Sequence, residues 1–133
     1  MTYYQDSFAE DRLPHINLQP QYSFTDLPQF QFPDVLNCVD YLLDRHIREG
    51  RGDRPCLRSF DGVWTYQDLY NKANQIAQLL QHDLEFIPGN RVLIRSANNP
   101  LMVACWFGVL KAGGIVVATM PLLRAKELQT IVE

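Results

Sequence analysis

A disulfide framework is missing from this chain. Cys38, Cys56 and Cys105 are odd in number, none belongs to a C-x-x-C pair, and none neighbours a pair of histidines. That pattern excludes a stapled secreted scaffold and a zinc cluster, and predicts reduced thiols in an intracellular protein. A long apolar run is missing too: the longest, Leu101 to Leu110, falls well short of the roughly 20 residues of a membrane span. Met1-Thr2-Tyr3-Tyr4-Gln5-Asp6 has neither a basic start nor an apolar stretch, so no secretory leader and a cytoplasmic location are expected. Nor is there an excess of positive charge, with 12 Lys and Arg against 15 Asp and Glu and a formal net charge of −3. A nucleic-acid footprint requires a basic patch or stripe. Arg45, Arg48, Arg51, Arg54 and Arg58 do cluster, but Asp40, Asp44, Glu49, Asp53 and Asp61 are interleaved with them, which reads as a solvated mixed-charge face. Neither a nucleic-acid nor a membrane partner is expected.

The signatures of several chemistries are absent as well. No G-x-x-x-x-G-K-[ST], G-x-S-x-G, H-E-x-x-H or calcium loop occurs, which removes the Walker loop, the nucleophile elbow and the zincin helix. The histidines are isolated. His46 lies on an apolar helical stripe and reads as a partly buried structural residue rather than a ligand, while His15 and His82 read as surface residues.

What is present organises around Gly89 to Pro121. Val92-Leu93-Ile94 is a short apolar strand, and Asn98-Asn99 carries side-chain oxygens suited to the first free helical N–H groups. Pro100 fits the first helical position. Met102 to Ala112 is apolar on nearly every face, predicting a helix buried all round, with Cys105 inside it as a small hydrophobe. Gly113-Gly114 supplies the positive φ that ends a helix, and Ile115-Val116-Val117-Ala118 is a second apolar strand. Two apolar strands flanking such a helix predict a right-handed parallel βαβ unit. The turn after the first strand holds no glycine, which disfavours a dinucleotide site. Lys111 could bind an anion, but complementing the helix C-terminal dipole is the plainer reading.

Upstream, Pro14, Pro20, Pro28 and Pro33 exclude a long helix, and Tyr22, Phe24, Phe30 and Phe32 between them argue against true disorder. Residues 1–34 are expected to form an extended arm lying across a folded body and pinned by its rings. Asn37 caps a helix from Cys38 to about Glu49 with Val39, Leu42, Leu43, His46 and Ile47 as its inward stripe. Cys56 to Phe60 and Val63 to Thr65 read as a hairpin about Asp61-Gly62. Thr65 and Asp68 form a capping box for a helix ending near Gln81, with Leu69, Ala73, Ile76, Ala77 and Leu80 inward. A last helix starts after Pro121, with Leu128, Ile131 and Val132 facing inward. Arg124 and Lys126 in its first turn have the wrong sign for the dipole; they pair with groups outside the chain or, more simply, are solvated. A stripe stopping at Glu133 without a cap is expected to reflect a cut.

The combination Trp64-Thr65-Tyr66-Gln67-Asp68-Leu69, Asn74 to Leu80, Gly89-Asn90-Arg91-Val92, and Leu110-Lys111-Ala112-Gly113-Gly114 followed by a strand and Pro121 resembles the start of the adenylate-forming (AMP-binding) superfamily. Leu36-Asn37 leading to Leu42-Leu43-Asp44-Arg45-His46, then Gly50 to Pro55, and Thr119 to Leu128 resemble its benzoate- and 2-aminobenzoate-CoA ligase branch. The resemblance implies an α/β fold: residues 35–133 as the first part of the large N-terminal domain, with a mostly parallel sheet flanked by helices, a β-hairpin and the N-terminal arm. It implies ATP, Mg²⁺, coenzyme A and an aromatic carboxylic acid as the reactants of the intact enzyme. The phosphate loop, magnesium carboxylate, ribose aspartate, mobile lysine and acid pocket of that family lie downstream of the matched region. No catalytic, cofactor-binding or metal-ligating residue is therefore assigned here, no cofactor is expected on the fragment, and the fragment is expected to be inactive. Self-association through an open sheet edge is left open. A free-standing flavodoxin-like binding module and an adenylating enzyme that does not use coenzyme A are the alternative readings.

Overall fold

Two helices lying against each other carry the folded body. A computed structural model of the chain describes residue 7, residues 10–21 and residues 27–133, and these divide into two units at Leu36 and Asn37. In the second unit a hairpin, β1 (Pro55–Ser59) and β2 (Gly62–Thr65), leads into α2 (Tyr66–Gln78), following the short α1 (Arg45–Arg48). Then come β3 (Arg91–Arg95), α3 (Pro100–Lys111), β4 (Ile115–Thr119) and α4 (Ala125–Val132). β3 and β4 pair in parallel, Arg91 opposite Ile115 through Arg95 opposite Thr119, with α3 as their crossover. β1 and β2 form a separate antiparallel sheet. The α/β class is as expected, with the parallel part limited to one pair of strands.

The local signals that set these elements are visible at their ends. Thr65 Oγ1 accepts from the Asp68 N–H at 3.1 Å while the Asp68 carboxylate accepts from the Thr65 N–H at 2.9 Å, the reciprocal capping box. Asn99 Oδ1 accepts from the Met102 N–H at 2.8 Å, with Pro100 at the first position of α3. That helix ends in a Schellman motif: Gly114 N–H donates to Val109 O at 2.9 Å, Gly113 N–H donates to Leu110 O at 3.1 Å, and Gly113 takes a φ of +80°.

The core forms where α2 and α3 cross. Val39, Leu43, Leu69, Ala73 and Ala104 make one buried cluster, and Ala77, Leu80, Ile94, Val109 and Ala112 a second, with Ile76 touching both. Gly108 lets the helices approach: a Cβ there would lie 2.6 Å from Ile76 Cγ2 and 3.1 Å from the Ala73 carbonyl oxygen.

Several expectations are corrected. α3 is not buried all round: Leu101 is 53% and Trp106 40% exposed, because α2 and a two-stranded sheet cover only part of its circumference. Cys105 is correspondingly half-buried. The strands are not covered on both faces either, since Ile94 is buried while Leu93 is exposed. The hairpin turns at Phe60-Asp61, one residue earlier than expected, with Ser59 opposite Gly62 and Gly62 at φ +137°. The first helix contains a π-turn over Asp40–Asp44. A π-turn widens the helical repeat beyond 3.6 residues, so spacing of four keeps Val39, Leu43 and Ile47 on one face and rotates Leu42 outward; Leu42 is 51% exposed. α2 likewise runs on through a π-turn, Leu79–Asp83, past its expected end. In α4, Leu128 is half-buried but Ile131 and Val132 are exposed, as no element of the second unit covers them. Its N-terminus is capped by Glu127, whose Oε2 accepts from the Arg124 N–H at 2.9 Å.

In the first unit the described residues form short 3₁₀ turns at Glu10–Arg12, Ile16–Leu18 and Pro28–Phe30 rather than a uniformly extended arm. Of its four expected anchoring rings, Tyr22 and Phe24 lie outside the described residues, and Phe30 and Phe32 are exposed.

Candidate functional site

In open α/β sheets ligands gather outside the carboxyl ends of the parallel strands, and here that edge is built by the loop from β3 into α3. Ser96, Ala97 and Asn98 follow β3, and Met120-Pro121 follows β4. Arg95 Nη2 donates to the Pro121 carbonyl at 2.6 Å, tying the two strand ends together. Ser96 Oγ donates to Ala97 O at 3.0 Å and receives Asn99 Nδ2 at 3.4 Å. The loop thus makes internal hydrogen bonds without glycine.

Two open grooves flank this loop. One, of about 440 Å³, lies between Ser96–Asn98, Met102 and the residues from Ala118 to Pro121. The other, of about 560 Å³, lies between the hairpin residues Leu57–Phe60 and the start of α3, Asn98–Pro100, Met102 and Val103. Asn98 and Met102 line both. The walls are chiefly apolar, with amides, hydroxyls and the Arg58 guanidinium at the margins. Such a surface can hold and orient a molecule. It offers no carboxylate, imidazole or thiol to move a proton or attack a carbonyl. Among the described residues no group of three or more His, Cys, Asp or Glu is placed to hold a metal ion.

The residues weighed in the sequence lie elsewhere. Lys111 is 12% exposed and has structural partners on three sides. Its ammonium sits 2.8 Å from Asp44 Oδ1, donates to Asn74 Oδ1 at 2.6 Å, and lies 4.2 Å from the centre of the Tyr70 ring. It therefore joins the first helix, α2 and α3, and the dipole reading understates its role. His46 is structural as expected: its ring stacks on Tyr66 at 4.1 Å, and its Nδ1 accepts from Arg51 Nε at 3.1 Å. The arginine cluster is a mixed-charge face with defined pairs: Arg48 holds Asp40 bidentately at 2.5 and 3.1 Å, Arg51 pairs with Glu49, and Arg45 lies over the Tyr41 ring. Burial pushes the Cys56 and Cys105 thiols up, away from the reactive thiolate. Sequence reasoning missed the Arg95 clamp and the shared lining by Asn98 and Met102. The strand-end rule, applied to the residues between β3 and α3, is the signal that finds them.

Comparison with known proteins places this frame. The family model described as AMP-binding enzyme matches residues 43–133. Among curated relatives, nonribosomal peptide synthetase 7 of Gibberella zeae is 33% identical over 94 residues, 68% of this chain and 2% of its own length. Benzoate–CoA ligase of Thauera aromatica is 26% identical over 77% of this chain and 19% of its own. A long-chain-fatty-acid–CoA ligase of Salmonella typhimurium is 30% identical over 78% of this chain and 18% of its own. The chain thus spans less than one fifth of each relative. The crystal structure of the anthranilate CoA ligase AuaEII in complex with anthranoyl-AMP superposes with a TM-score of 0.69 at 27% identity, over 76% of this chain and 19% of that one. The fold is shared over that part, and with its family model matching residues 43–133 the chain belongs to the AMP-binding enzyme family.

Proposed function

We propose that this chain is the opening part of the large domain of an ATP-dependent, AMP-forming acid–thiol ligase, and that the acid is aromatic. The observation that carries the reading is the family match across residues 43–133. The likeness to an anthranilate CoA ligase at 27% identity favours the aryl acid. In the reaction a carboxylate oxygen attacks the α-phosphorus of ATP and pyrophosphate leaves. The thiol of coenzyme A then attacks the acyl carbon, forming the thioester and releasing AMP. Magnesium, when bound, neutralises the phosphate charge during the first transfer.

The described residues take no covalent part in either step, since the grooves beside Ser96–Asn99 hold no carboxylate, imidazole or thiol, and so no base to activate the hydroxyls of Ser59, Ser96 and Thr119. Their contribution is a frame: α2 and α3 fix the parallel strands, and the strand ends present the β3–α3 loop. The chain by itself is therefore inactive. Residues 1–34 serve as an arm and residues 35–133 as the domain's first part. A second reading, adenylation without coenzyme A, is favoured by the 33% identical peptide synthetase.

The test has two arms. The 133-residue chain, given ATP, Mg²⁺, benzoate and coenzyme A, should release no AMP above background; steady release overturns its assignment as a frame. The product of the whole source gene should release AMP with benzoate or 2-aminobenzoate and consume coenzyme A thiol in step. AMP formation with fatty acids alone overturns the aryl assignment. Amino-acid-dependent pyrophosphate exchange without thiol consumption selects the second reading.

A further inference from the structure

The turn between the first helix and the hairpin is held from both sides. Arg51 N–H donates to His46 O at 2.8 Å, and Arg54 N–H donates to Arg51 O at 3.2 Å. The first residues of α2 then close on the same turn: Tyr66 N–H donates to Arg54 O at 3.0 Å and Gln67 N–H donates to Gly52 O at 2.9 Å. Residues 51–54 thus accept from two of the orphan N–H groups of α2, those of Tyr66 and Gln67. Pro55 opens β1 directly after them, and Thr65 closes β2 directly before Tyr66. Both roots of the hairpin are fixed here, and the hairpin is one wall of the larger groove.

His46 sits at the centre of this junction. Its ring stacks on Tyr66, the first residue of α2, at an interplanar angle of 21°. Its Nδ1 accepts from Arg51 Nε, which puts the imidazole proton on Nε2. Facing it are Arg45 and Glu49 from its own helix, Arg51 and Arg54 from the turn, and the Tyr66 ring from α2. One carboxylate stands against three guanidinium groups. A proton added at Nδ1 turns the acceptor into a donor aimed at the Arg51 N–H and adds a cation to an already cationic cluster.

We propose that His46, Arg51 and Tyr66 form an acid-sensitive clasp, and that protonation of His46 releases the 51–54 turn from the start of α2 and frees the hairpin root. Partial burial, followed by Arg51 and Arg45, holds the His46 pKa below its usual value; Glu49 opposes them weakly. The folded state therefore favours the neutral ring. Its contribution is fully present above the ordinary histidine pKa, about 6.5, and is lost as pH falls from there through the lower folded value.

The experiment follows the full 133-residue chain from pH 8 to pH 4.5 by NMR, reading the His46 ring nitrogens and the hydrogen exchange of the Arg51, Tyr66 and Gln67 amides, corrected for intrinsic rates. A neutral Nε2–H tautomer is expected at pH 8. Protection at the three amides should fall several-fold in the window where His46 titrates, with the Ile94 and Val109 amides unaffected. In His46→Gln, which keeps a neutral acceptor, the acid step should vanish; in Arg51→Met the His46 titration should move upward. If His46→Gln does not fold, Arg51→Met decides alone. Protection that ignores the His46 titration, an acid step that survives His46→Gln, or a His46 titration unmoved in Arg51→Met overturns the clasp.

Discussion

Single side chains set the tightest constraints on this fold. At Gly108 an added Cβ meets both the Ile76 side chain and the Ala73 backbone oxygen at less than ordinary contact distance, so Gly108→Ala is an overpacking change. It should cost about 1–3 kcal/mol, measured by urea denaturation, and Ile76→Ala in the same chain should recover part of that loss. A neutral Gly108→Ala would show that the helices can separate there without cost. At the start of α2 the Thr65 N–H, then the Thr65 hydroxyl, hold the Asp68 carboxyl below the usual carboxylate range, with desolvation opposing. The folded state prefers the anion. This contribution is present above the unfolded value near 3.9 and disappears as pH falls through the lower folded value. Thr65→Ala should lower stability by about 0.5–2 kcal/mol at neutral pH, and Asp68→Asn should flatten the acid limb of the stability profile. These caps were legible because their geometry involves only neighbours in sequence. The same holds for Asn99-Pro100 and Gly113-Gly114, whose roles depend on backbone groups a turn away. The partners of Lys111 were not legible, since Asp44, Asn74 and Tyr70 are brought to it only by the packing of three helices.

Elements were recovered where a period and a cap agreed, and shifted where packing altered the period. The first helix shows why. A uniform 3.6-residue repeat places Leu42 inward, but the π-turn Asp40–Asp44 sends it outward and brings Asp44 to Lys111. No local signal marks that insertion, because its compensation lies on α3. The hairpin differs by one residue for a local reason: Asp61-Gly62 predicts the two loop residues, whereas Gly62 supplies the positive φ at the start of β2, opposite Ser59. The cross-helix anchor is itself testable. Removing one member of a largely buried ion pair leaves the other charge uncompensated. Lys111→Met should destabilise the chain by about 1–3 kcal/mol, less than a fully buried pair would lose, because Asp44 keeps some contact with solvent. Asp44→Asn should cost less, and the double variant should cost less than the sum of the singles. Strict additivity in that cycle would mean that the two side chains do not stabilise each other.

At the scale of the whole chain, the buried residues say where the folded body begins. Among the described residues Val39 is the first member of the buried apolar core, and every described member of both clusters lies from there onward. One residue ahead of the first helical position, Asn37 closes the structure twice: its Oδ1 accepts from the Val39 N–H at 3.0 Å, and its Nδ2 donates to the Leu110 carbonyl at 3.3 Å near the end of α3. A chain starting at Asn37 retains every described contact of that core, whereas one starting at Cys38 loses both hydrogen bonds and keeps all the apolar surface. The shorter chain should therefore be less stable by about the value of one helix cap, on the order of 1 kcal/mol. For a domain near 100 residues this corresponds to a Tm lower by roughly 4–8 °C. Residues 37–133 should melt cooperatively at a temperature close to that of residues 1–133, by circular dichroism at equal concentration. A large drop on removing residues 1–36 would assign the arm a share in the core, and the body would then have to be drawn to include it. Equal melting of the chains starting at 37 and 38 would instead remove Asn37 from the fold's boundary and leave the first helix held by Val39, Leu43, the Asp44–Lys111 ion pair and the His46–Tyr66 stack.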